Sequence, residues 1–230
     1  MTSNVHLVAN LKMNAVKPLL SQYQELPDVS MDLLVPYPYL IYAQELLRDT
    51  SIIVGAQNMS VHEQGAYTGQ VSGAILNDIG VRTVMIGHQE VSDSLEERRE
   101  KLVLASRLGM RIIYCVGTQG DQLSELDEQI DCLTGSEEVL VAYEPASAIG
   151  SGVCADYELI KTQVAAIRKR LAASFSGKSE PIKVMYGGSV NNKNCLEIVK
   201  KSNVDGLLVG GVSLNFELML EVIRLCKQYS

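Results

Sequence analysis

Residues 83–116 read TVMIGHQEVSDSLEERREKLVLASRLGMRIIYCV, which is a short apolar run, a longer helical segment and a second apolar run. The apolar runs, Thr83–Gly87 and Arg111–Val116, are rich in β-branched residues and predict strands. The segment between them predicts a helix over Asp93–Leu108. Two strands joined by a helix are typical of a parallel pair in one sheet.

The helix of this unit has a recognisable start and end. Asp93 and Glu96 form a capping pattern in its first turn, and Gly109 follows its last residue. Arg98 and Arg99 fall inside the helical pattern, and we interpret them as part of a solvated helix face.

The same alternation of strands and helices continues along the chain. Clear helices are also predicted over Ala155–Ser174 and Leu214–Gln228. Continuous apolar strands joined by helices indicate a parallel sheet that is covered on both faces. Eight strands are predicted: Val5–Asn10, Met31–Pro36, Ile52–Gln57, Thr83–Gly87, Arg111–Val116, Glu138–Tyr143, Ile182–Tyr186 and Gly206–Val209.

Eight such units in 230 residues predict an α/β fold, a closed (β/α)₈ barrel that forms one domain over residues 1–230. A doubly wound open sheet is the main alternative. It is disfavoured because no G-x-G-x-x-G follows the first strand and because eight regular units are more than it usually has.

Charge and composition exclude several classes of partner and compartment. The net charge is −7, and the basic groups Arg98-Arg99 and Arg168-Lys169-Arg170 read as solvated helix faces, so nucleic acid and anionic membranes are not expected as partners. No apolar run is long enough for a membrane span or a signal peptide, which predicts a cytoplasmic protein. Five cysteines without C-x-x-C spacing and three separated histidines give no metal signature.

Barrels of this kind carry their chemistry at the carboxyl ends of the strands. Any strand is followed by polar turn residues, but that rule does not explain why a lysine, a histidine and a glutamate each stand at such an end. The residues found there are Asn10, Lys12, Gln57, Asn58, His88, Glu90, Glu144, Tyr186, Gly187, Gly188, Ser189, Gly210 and Gly211.

Glu144 follows a strand and precedes a proline. Pro145 restricts Glu144 to an extended conformation, which aims the carboxylate. The small residues after it predict a mobile lid, although a solvated surface glutamate is the more common outcome for this motif alone. The predicted lid consists of Pro145, Ala146, Ser147, Ala148, Ile149, Gly150, Ser151 and Gly152.

Two glycine pairs, in YGGSV (186–190) and VGGVS (209–213), offer exposed backbone N–H groups that suit a phosphate. Tight turns alone would also explain them. Lys12 supplies a cation that offsets the repulsion of a phosphorylated substrate by an acidic protein, and His88 is a neutral donor, a proton shuttle or a structural histidine. Together with a carboxylate base, these groups indicate proton transfer next to the carbonyl of a sugar phosphate.

The motifs N-x-K-M-N, GAQN, GAYTG, GH-x-E, CVG, AYEP-x-x-AIG-x-G, YGGSV and DGLLVGG follow one another from Asn10 to near the C-terminus. In this order they resemble the triosephosphate isomerase family, whose fold is the TIM barrel. That family is a standard example of a glutamate base, a neutral histidine and a closing loop, so the roles below come from the resemblance.

The resemblance implies that Glu144 moves a proton between two substrate carbons, that His88 polarises the carbonyl and relays protons between the oxygens, and that Lys12 stabilises an enediolate. Asn10 is expected to position Lys12 and the substrate oxygens, and Glu90 to be a buried partner of Lys12. Phosphate is expected on the amides of Gly150, Ser189, Gly210 and Gly211, and the closed lid on Tyr186 and Ser189.

The implied function is interconversion of D-glyceraldehyde 3-phosphate and dihydroxyacetone phosphate in glycolysis and gluconeogenesis, without a cofactor or metal. A paralogue that acts on a four-carbon ketose phosphate and a catalytically silent phosphate-binding barrel are the alternatives. The presence of Lys12, His88 and Glu144 argues against the silent barrel, because a binding protein needs no base.

The chain departs from the family at several positions. Leu11 replaces a tryptophan, and the loop after His88 is shorter. In that loop Gln89 replaces a serine, and Val91 and Ser92 replace two arginines. In the family the first of these arginines pairs with a glutamate of the partner subunit, and Gln70 replaces that glutamate here.

The lid and the dimer contact are the places where the departures matter most. Ser147 replaces the tryptophan of the family's lid, and Thr118 replaces the glutamate that holds this tryptophan in the open state. These two replacements predict altered lid kinetics. The loop around Thr68 is retained, and a homodimer through it is expected.

Overall fold

The computed structural model describes residues 5–26, 29–133, 138–146, 148, 153–175 and 181–229. Within these ranges eight strands alternate with eight α-helices. The strands are β1 His6–Asn10, β2 Met31–Val35, β3 Ile52–Ala56, β4 Thr83–Ile86, β5 Arg111–Val116, β6 Val139–Tyr143, β7 Lys183–Tyr186 and β8 Gly206–Val209. The helices are α1 Lys17–Gln24, α2 Leu40–Leu46, α3 Gly73–Asp78, α4 Leu95–Arg107, α5 Gln122–Leu133, α6 Tyr157–Ser174, α7 Cys195–Ser202 and α8 Phe216–Tyr229.

The eight strands form a closed parallel barrel in chain order. Closure is made by β1 and β8, which pair in register from His6 opposite Gly206 to Ala9 opposite Val209. The predicted (β/α)₈ barrel is therefore confirmed, and the open doubly wound sheet is excluded because an open sheet would leave two unpaired edges.

The limits of the strands follow the prediction closely. The strands β5 and β8 begin and end where the sequence predicted, and each of the other six is one residue shorter at one end. All eight strands are short, continuous and largely apolar runs, so the local sequence determines where each strand begins and ends.

Apolar side chains fill two layers. The larger core lies between the sheet and the surrounding helices. The smaller one fills the inside of the barrel, which is typical of this fold. It consists of Val8, Leu34, Met85, Ile113, Cys115, Leu140, Ala142, Met185 and Leu208.

The predicted cap of α4 is wrong by one residue. Ser94 is the N-cap, and its side chain and that of Glu97 form a reciprocal capping box. Asp93 is used elsewhere, because both of its carboxylate oxygens lie 2.6 Å from Lys101 Nζ. The predicted stop is confirmed, since Gly109 follows the helix with a φ of 65°.

Arg98 on α4 is not part of a solvated face, contrary to the sequence interpretation. Its side chain is buried because the guanidinium points toward the barrel and pairs with Glu125 on α5. Its neighbour Arg99 does lie at the surface, where it pairs with Asp131.

Among the helices that the structure describes, none has both the length and the apolar character needed to cross a membrane.

Candidate active site

A cavity of about 400 Å³ opens at the carboxyl ends of the strands. This is where the sequence places the polar rim, and the cavity brings together most of the predicted site residues. Its lining consists of Asn10, Lys12, His88, Glu144, Gly187, Ser189, Val190, Asn191, Leu208, Gly210, Gly211 and Val212.

Glu144 is the first residue after β6 and is 1% exposed. Its backbone N–H donates to the carbonyl of Val116 at 2.8 Å, which ties it to the end of β5. A Cβ at Gly187 would lie 2.7 Å from Glu144 Cγ, so only glycine leaves room for the carboxylate at this point. The prediction of a glutamate aimed into the site agrees with this placement.

The Glu144 carboxylate faces His88, with Oε1 lying 3.6 Å from His88 Nε2. Its other oxygen, Oε2, is buried and has no hydrogen-bond partner among the described residues. Burial raises the pKa of Glu144 to about 8, and the nearby Cys115 thiol and Lys12 ammonium act in the opposite direction. The geometry therefore holds a carboxyl group whose affinity for a proton is unusually high.

His88 follows β4 through Gly87, whose φ of 85° is in the left-handed region that favours glycine. The imidazole Nδ1 accepts a hydrogen bond from the Glu90 backbone N–H at 3.2 Å. A neutral ring then carries its proton on Nε2, on the side of Glu144. Burial lowers the pKa of His88 to about 4, so the ring is neutral near pH 7.

Lys12 is held on the rim by a strained backbone and two amide side chains. Its φ of 50° is uncommon for a residue other than glycine. Its N–H donates to Asn10 Oδ1 at 2.9 Å, and its carbonyl accepts from Gln57 Nε2 at 3.0 Å. Gln57 also donates to Asn10 Oδ1, at 3.1 Å. Asn10 thus contacts Lys12 as expected, whereas sequence reasoning placed Gln57 at a strand end without giving it a role.

Glu90 pairs with Lys12 Nζ, but the expectation that it is buried is wrong. Its side chain is 51% exposed because the carboxylate reaches across the open rim to the lysine, outside the residues that line the cavity. Such an exposed pair is screened by water and contributes less than a buried one.

The glycine pairs differ in how closely they are packed. A Cβ at Gly210 would lie 3.1 Å from Lys12 Cε, whereas the same position at Gly211 faces open space. Near the first pair, Ser189 Oγ donates to the carbonyl of Ala148 at 2.5 Å. Gly187 of the first pair and both glycines of the second line the cavity together with the lysine.

No group of three or more histidine, cysteine or acidic residues in the described ranges is arranged to hold a metal ion.

The family model described as triosephosphate isomerase matches residues 5–226. The chain belongs to the triosephosphate isomerase family. A relative named triosephosphate isomerase from Herminiimonas arsenicoxydans is 36% identical over 214 residues, covering 86% of each chain. One of the same name from Coxiella burnetii is 38% identical over 210 residues, covering 84% of this chain and 82% of its own.

Cys115 was not recognised as a site residue from the sequence. It lies on β5 inside the barrel, close enough to Glu144 that the carboxylate and burial together raise the pKa of its thiol. Its position in the family motif CVG, in the strand beside that of Glu144, was the available signal.

The structure describes the first part of the predicted lid and the segment that follows it. In the first part, the Ala146 N–H donates to the carbonyl of Gly117 at 3.2 Å, and the Ala148 N–H donates to the carbonyl of Pro145 at 2.8 Å. After it, the Tyr186 hydroxyl accepts from the Ala155 N–H at 3.0 Å. The other predicted lid residues, Ser147, Ile149, Gly150, Ser151 and Gly152, lie outside the described residues.

Thr118, which the resemblance predicts to replace a glutamate, is buried. Its hydroxyl accepts from Arg98 at 2.9 Å and donates to the carbonyl of Gly87 at 3.1 Å. Its hydrogen bonds therefore connect α4 with the residue before His88.

Proposed function

We infer that the chain interconverts D-glyceraldehyde 3-phosphate and dihydroxyacetone phosphate by proton transfer through an enediolate. The observation that carries this proposal is the 3.6 Å approach of Glu144 Oε1 to His88 Nε2, in a cavity that also contains Lys12. A base, a neutral donor and a cation around one cavity are the groups that this reaction needs.

Glu144 is proposed as the base that moves the proton between adjacent carbons. Its pKa of about 8 lies near the working pH, where a base combines adequate ionisation with adequate strength. Its buried oxygen Oε2 has no hydrogen-bond partner among the described residues, so no hydrogen bond has to be broken before it accepts a proton.

His88 is proposed to polarise the carbonyl and to pass protons between the two substrate oxygens. Because its ring is neutral, Nε2–H donates to a developing oxyanion without first losing a charge. Lys12 is proposed to stabilise the negative charge of the enediolate, held in place by Asn10. We propose Glu90 as the exposed partner of Lys12 that keeps its ammonium at the rim.

The phosphate is proposed to bind the backbone amides of Gly150, Ser189, Gly210 and Gly211. The last three line the cavity together with Lys12. Closure of residues 145–152 over the substrate is proposed to be held by Tyr186 and Ser189, whose hydroxyls bond to Ala155 and Ala148 at either end of that segment.

We propose that the reaction serves glycolysis and gluconeogenesis in the cytoplasm. None of the five cysteines, all of which lie in the described ranges, forms a disulfide, which is compatible with a reducing compartment.

A homodimer through the loop around Thr68 is also proposed. The loop is closed by its own contacts, including stacking of His62 on Tyr67 at 3.5 Å between ring centroids. Tyr67 is 43% exposed and Met13 96% exposed, which offers apolar surface to a second copy. Sedimentation at micromolar concentration should give the dimer mass, and a monomer would contradict the proposal.

A coupled isomerase assay tests the function with Glu144→Gln and a matched control on the same strand. Glu144→Gln should lower kcat by roughly 10² to 10⁴. Glu138→Gln, at the other end of β6, should leave kcat unchanged. Equal activity of wild type and Glu144→Gln would refute the role of the base, and preference for a four-carbon ketose phosphate would favour the paralogous activity.

A further inference from the structure

A buried arginine lies behind the site, on the side of α4 that faces the barrel. The Arg98 side chain is 1% exposed, and its guanidinium lies 3.3 Å from Glu125 Oε2. Neither residue lines the cavity. A charge is costly to bury unless it is paired and hydrogen-bonded. The role of Arg98 therefore depends on the contacts of its two partners, Glu125 and Thr118.

The first partner, Glu125, fixes the loop after β5. Its Oε2 accepts the N–H of Gly117 at 3.0 Å and its Oε1 accepts that of Gln119 at 2.7 Å. Hydrogen bonds from backbone N–H groups to a buried carboxylate are strong and directional. The conformation of this loop therefore depends on the position of the Glu125 carboxylate, which pairs with Arg98.

The second partner, Thr118, connects this loop to the one that carries His88. A threonine hydroxyl has a single proton. Arg98 donates to the oxygen at 2.9 Å, which leaves the hydroxyl proton for the carbonyl of Gly87 at 3.1 Å. Gly87 is the residue before His88, so the direction of this hydroxyl fixes the peptide that carries the imidazole.

The same loop also reaches the base. The carbonyl of Val116 accepts the N–H of Glu144, and the carbonyl of Gly117 accepts that of Ala146. One arginine thus lies at the junction of the segment before His88 and the segment that holds Glu144 and the start of the lid.

We propose that Arg98 is a positioning residue, which acts through Thr118 and Glu125 to keep His88 Nε2 3.6 Å from Glu144 Oε1. The proposal rests on the proposed function, because it assigns Arg98 a part in that reaction. The loop after β4 carries Val91 and Ser92 and no arginine of its own. The cation behind the site is supplied from the helix.

The test uses two exchanges at Thr118 and a matched control. Thr118→Val removes the hydroxyl at similar volume, and Thr118→Ser keeps it. Thr162→Val is the control, because the Thr162 hydroxyl also donates to a carbonyl, that of Glu158, but at the surface of α6. Thr118→Val should lower kcat roughly tenfold with little change in KM, since a small misplacement of catalytic groups slows chemistry more than binding.

Nuclear magnetic resonance of the ¹⁵N-labelled His88 ring supplies a measurement that does not depend on turnover. The ring signals should shift in Thr118→Val and remain as in wild type in Thr118→Ser and Thr162→Val. A protein with unaltered kcat and unaltered ring signals in Thr118→Val would overturn the proposal. If wild type shows no isomerase activity, the proposed function fails, and the ring signals still decide this inference.

Arg98 itself is tested without leaving a buried charge. Arg98→Met combined with Glu125→Gln removes both charges, and Arg98→Lys is used instead if that protein does not fold. Either should lower kcat, and adding Thr118→Val should lower it little further, because coupled residues are not additive. Full additivity would show that Arg98 does not act through Thr118 and would overturn its role.

Discussion

The two ends of the barrel treat a buried carboxylate differently. At the amino end, fully buried Asp32 lies 2.7 Å from His6 Nε2 and pairs with Arg111. At the carboxyl end, Glu144 is equally buried, but its Oε2 has no partner among the described residues and its pKa is raised to about 8. Asp32 lies on β2 and Glu144 directly after β6 of the same sheet, and both are buried, so burial alone does not account for the difference.

The difference shows what the unpaired carboxylate is for. Pairing with a cation, as between Asp32 and Arg111, offsets the cost of burying a carboxylate. Leaving Glu144 Oε2 without a partner reduces stability but retains basicity, which is the usual conflict between folding and function at a site. The amino end therefore serves stability and the carboxyl end serves chemistry.

The largest expected effect on stability is at the amino end of the barrel, where Asp32 is paired. Asp32→Asn should lower the free energy of unfolding by about 4 kcal/mol, because it leaves the buried guanidinium of Arg111 without its inner partner. Urea denaturation measures the loss, and kcat of the folded protein should equal that of wild type. A lowered kcat at unchanged stability would break the division between the two ends.

The next effect is at the carboxyl end of the barrel, where replacement of Glu144 should raise stability and not lower it. Because the pKa of Glu144 is raised from 4.5 to about 8, its contribution to stability is complete below pH 4.5 and is lost as pH rises through 8. Glutamine does not ionise, so Glu144→Gln should be more stable than wild type by about 3 kcal/mol at pH 7.

The difference between the two proteins should shrink toward pH 4.5. The lowered pKa of His88 also makes stability depend on pH, with a contribution lost as pH falls from 6.5 through 4, but both proteins share it. Urea denaturation of both at pH 5, 7 and 9 measures the trend. A difference independent of pH would show that Glu144 is not the group that burial perturbs.

A smaller effect concerns the lid at the carboxyl end. Ser189→Ala removes the hydrogen bond to the carbonyl of Ala148, worth about 1 kcal/mol, and should lower kcat/KM roughly fivefold. Because Ser189 stands at the rim, the urea midpoint should stay within error of wild type. If Ser189→Ala lowered stability without lowering kcat/KM, this contact would serve stability, as the ion pairs at the amino end do.

The residues of the carboxyl end could be predicted because their signals are local. Lys12, His88 and Glu144 each follow an apolar strand, and parallel strands of a barrel bring such positions to one rim. The strand limits were predictable for the same reason, since a continuous apolar run bounded by polar residues specifies its own ends.

Pairings between distant segments could not be predicted. Asp93 and Ser94 are both good caps, and the choice between them is decided by Lys101, which takes the aspartate. Arg98 was assigned to the surface because helical periodicity carries no information about Glu125, which lies on another helix. The exposure of Glu90 likewise depends on the open rim and not on its motif.

The smallest effect is expected within the paired end itself, at Glu138. Its carboxylate lies 2.7 Å from Arg111 Nε, as part of the same cluster as Asp32, but its side chain is 60% exposed. Water screens such a pair, so Glu138→Gln should lower the free energy of unfolding by only about 0.5 kcal/mol. The ratio of this loss to that of Asp32→Asn, measured in the same urea series, separates the effect of burial from that of pairing. If the two losses were equal, pairing to Arg111 would set the energy at this end, and the contrast with Glu144 would rest on partners and not on burial.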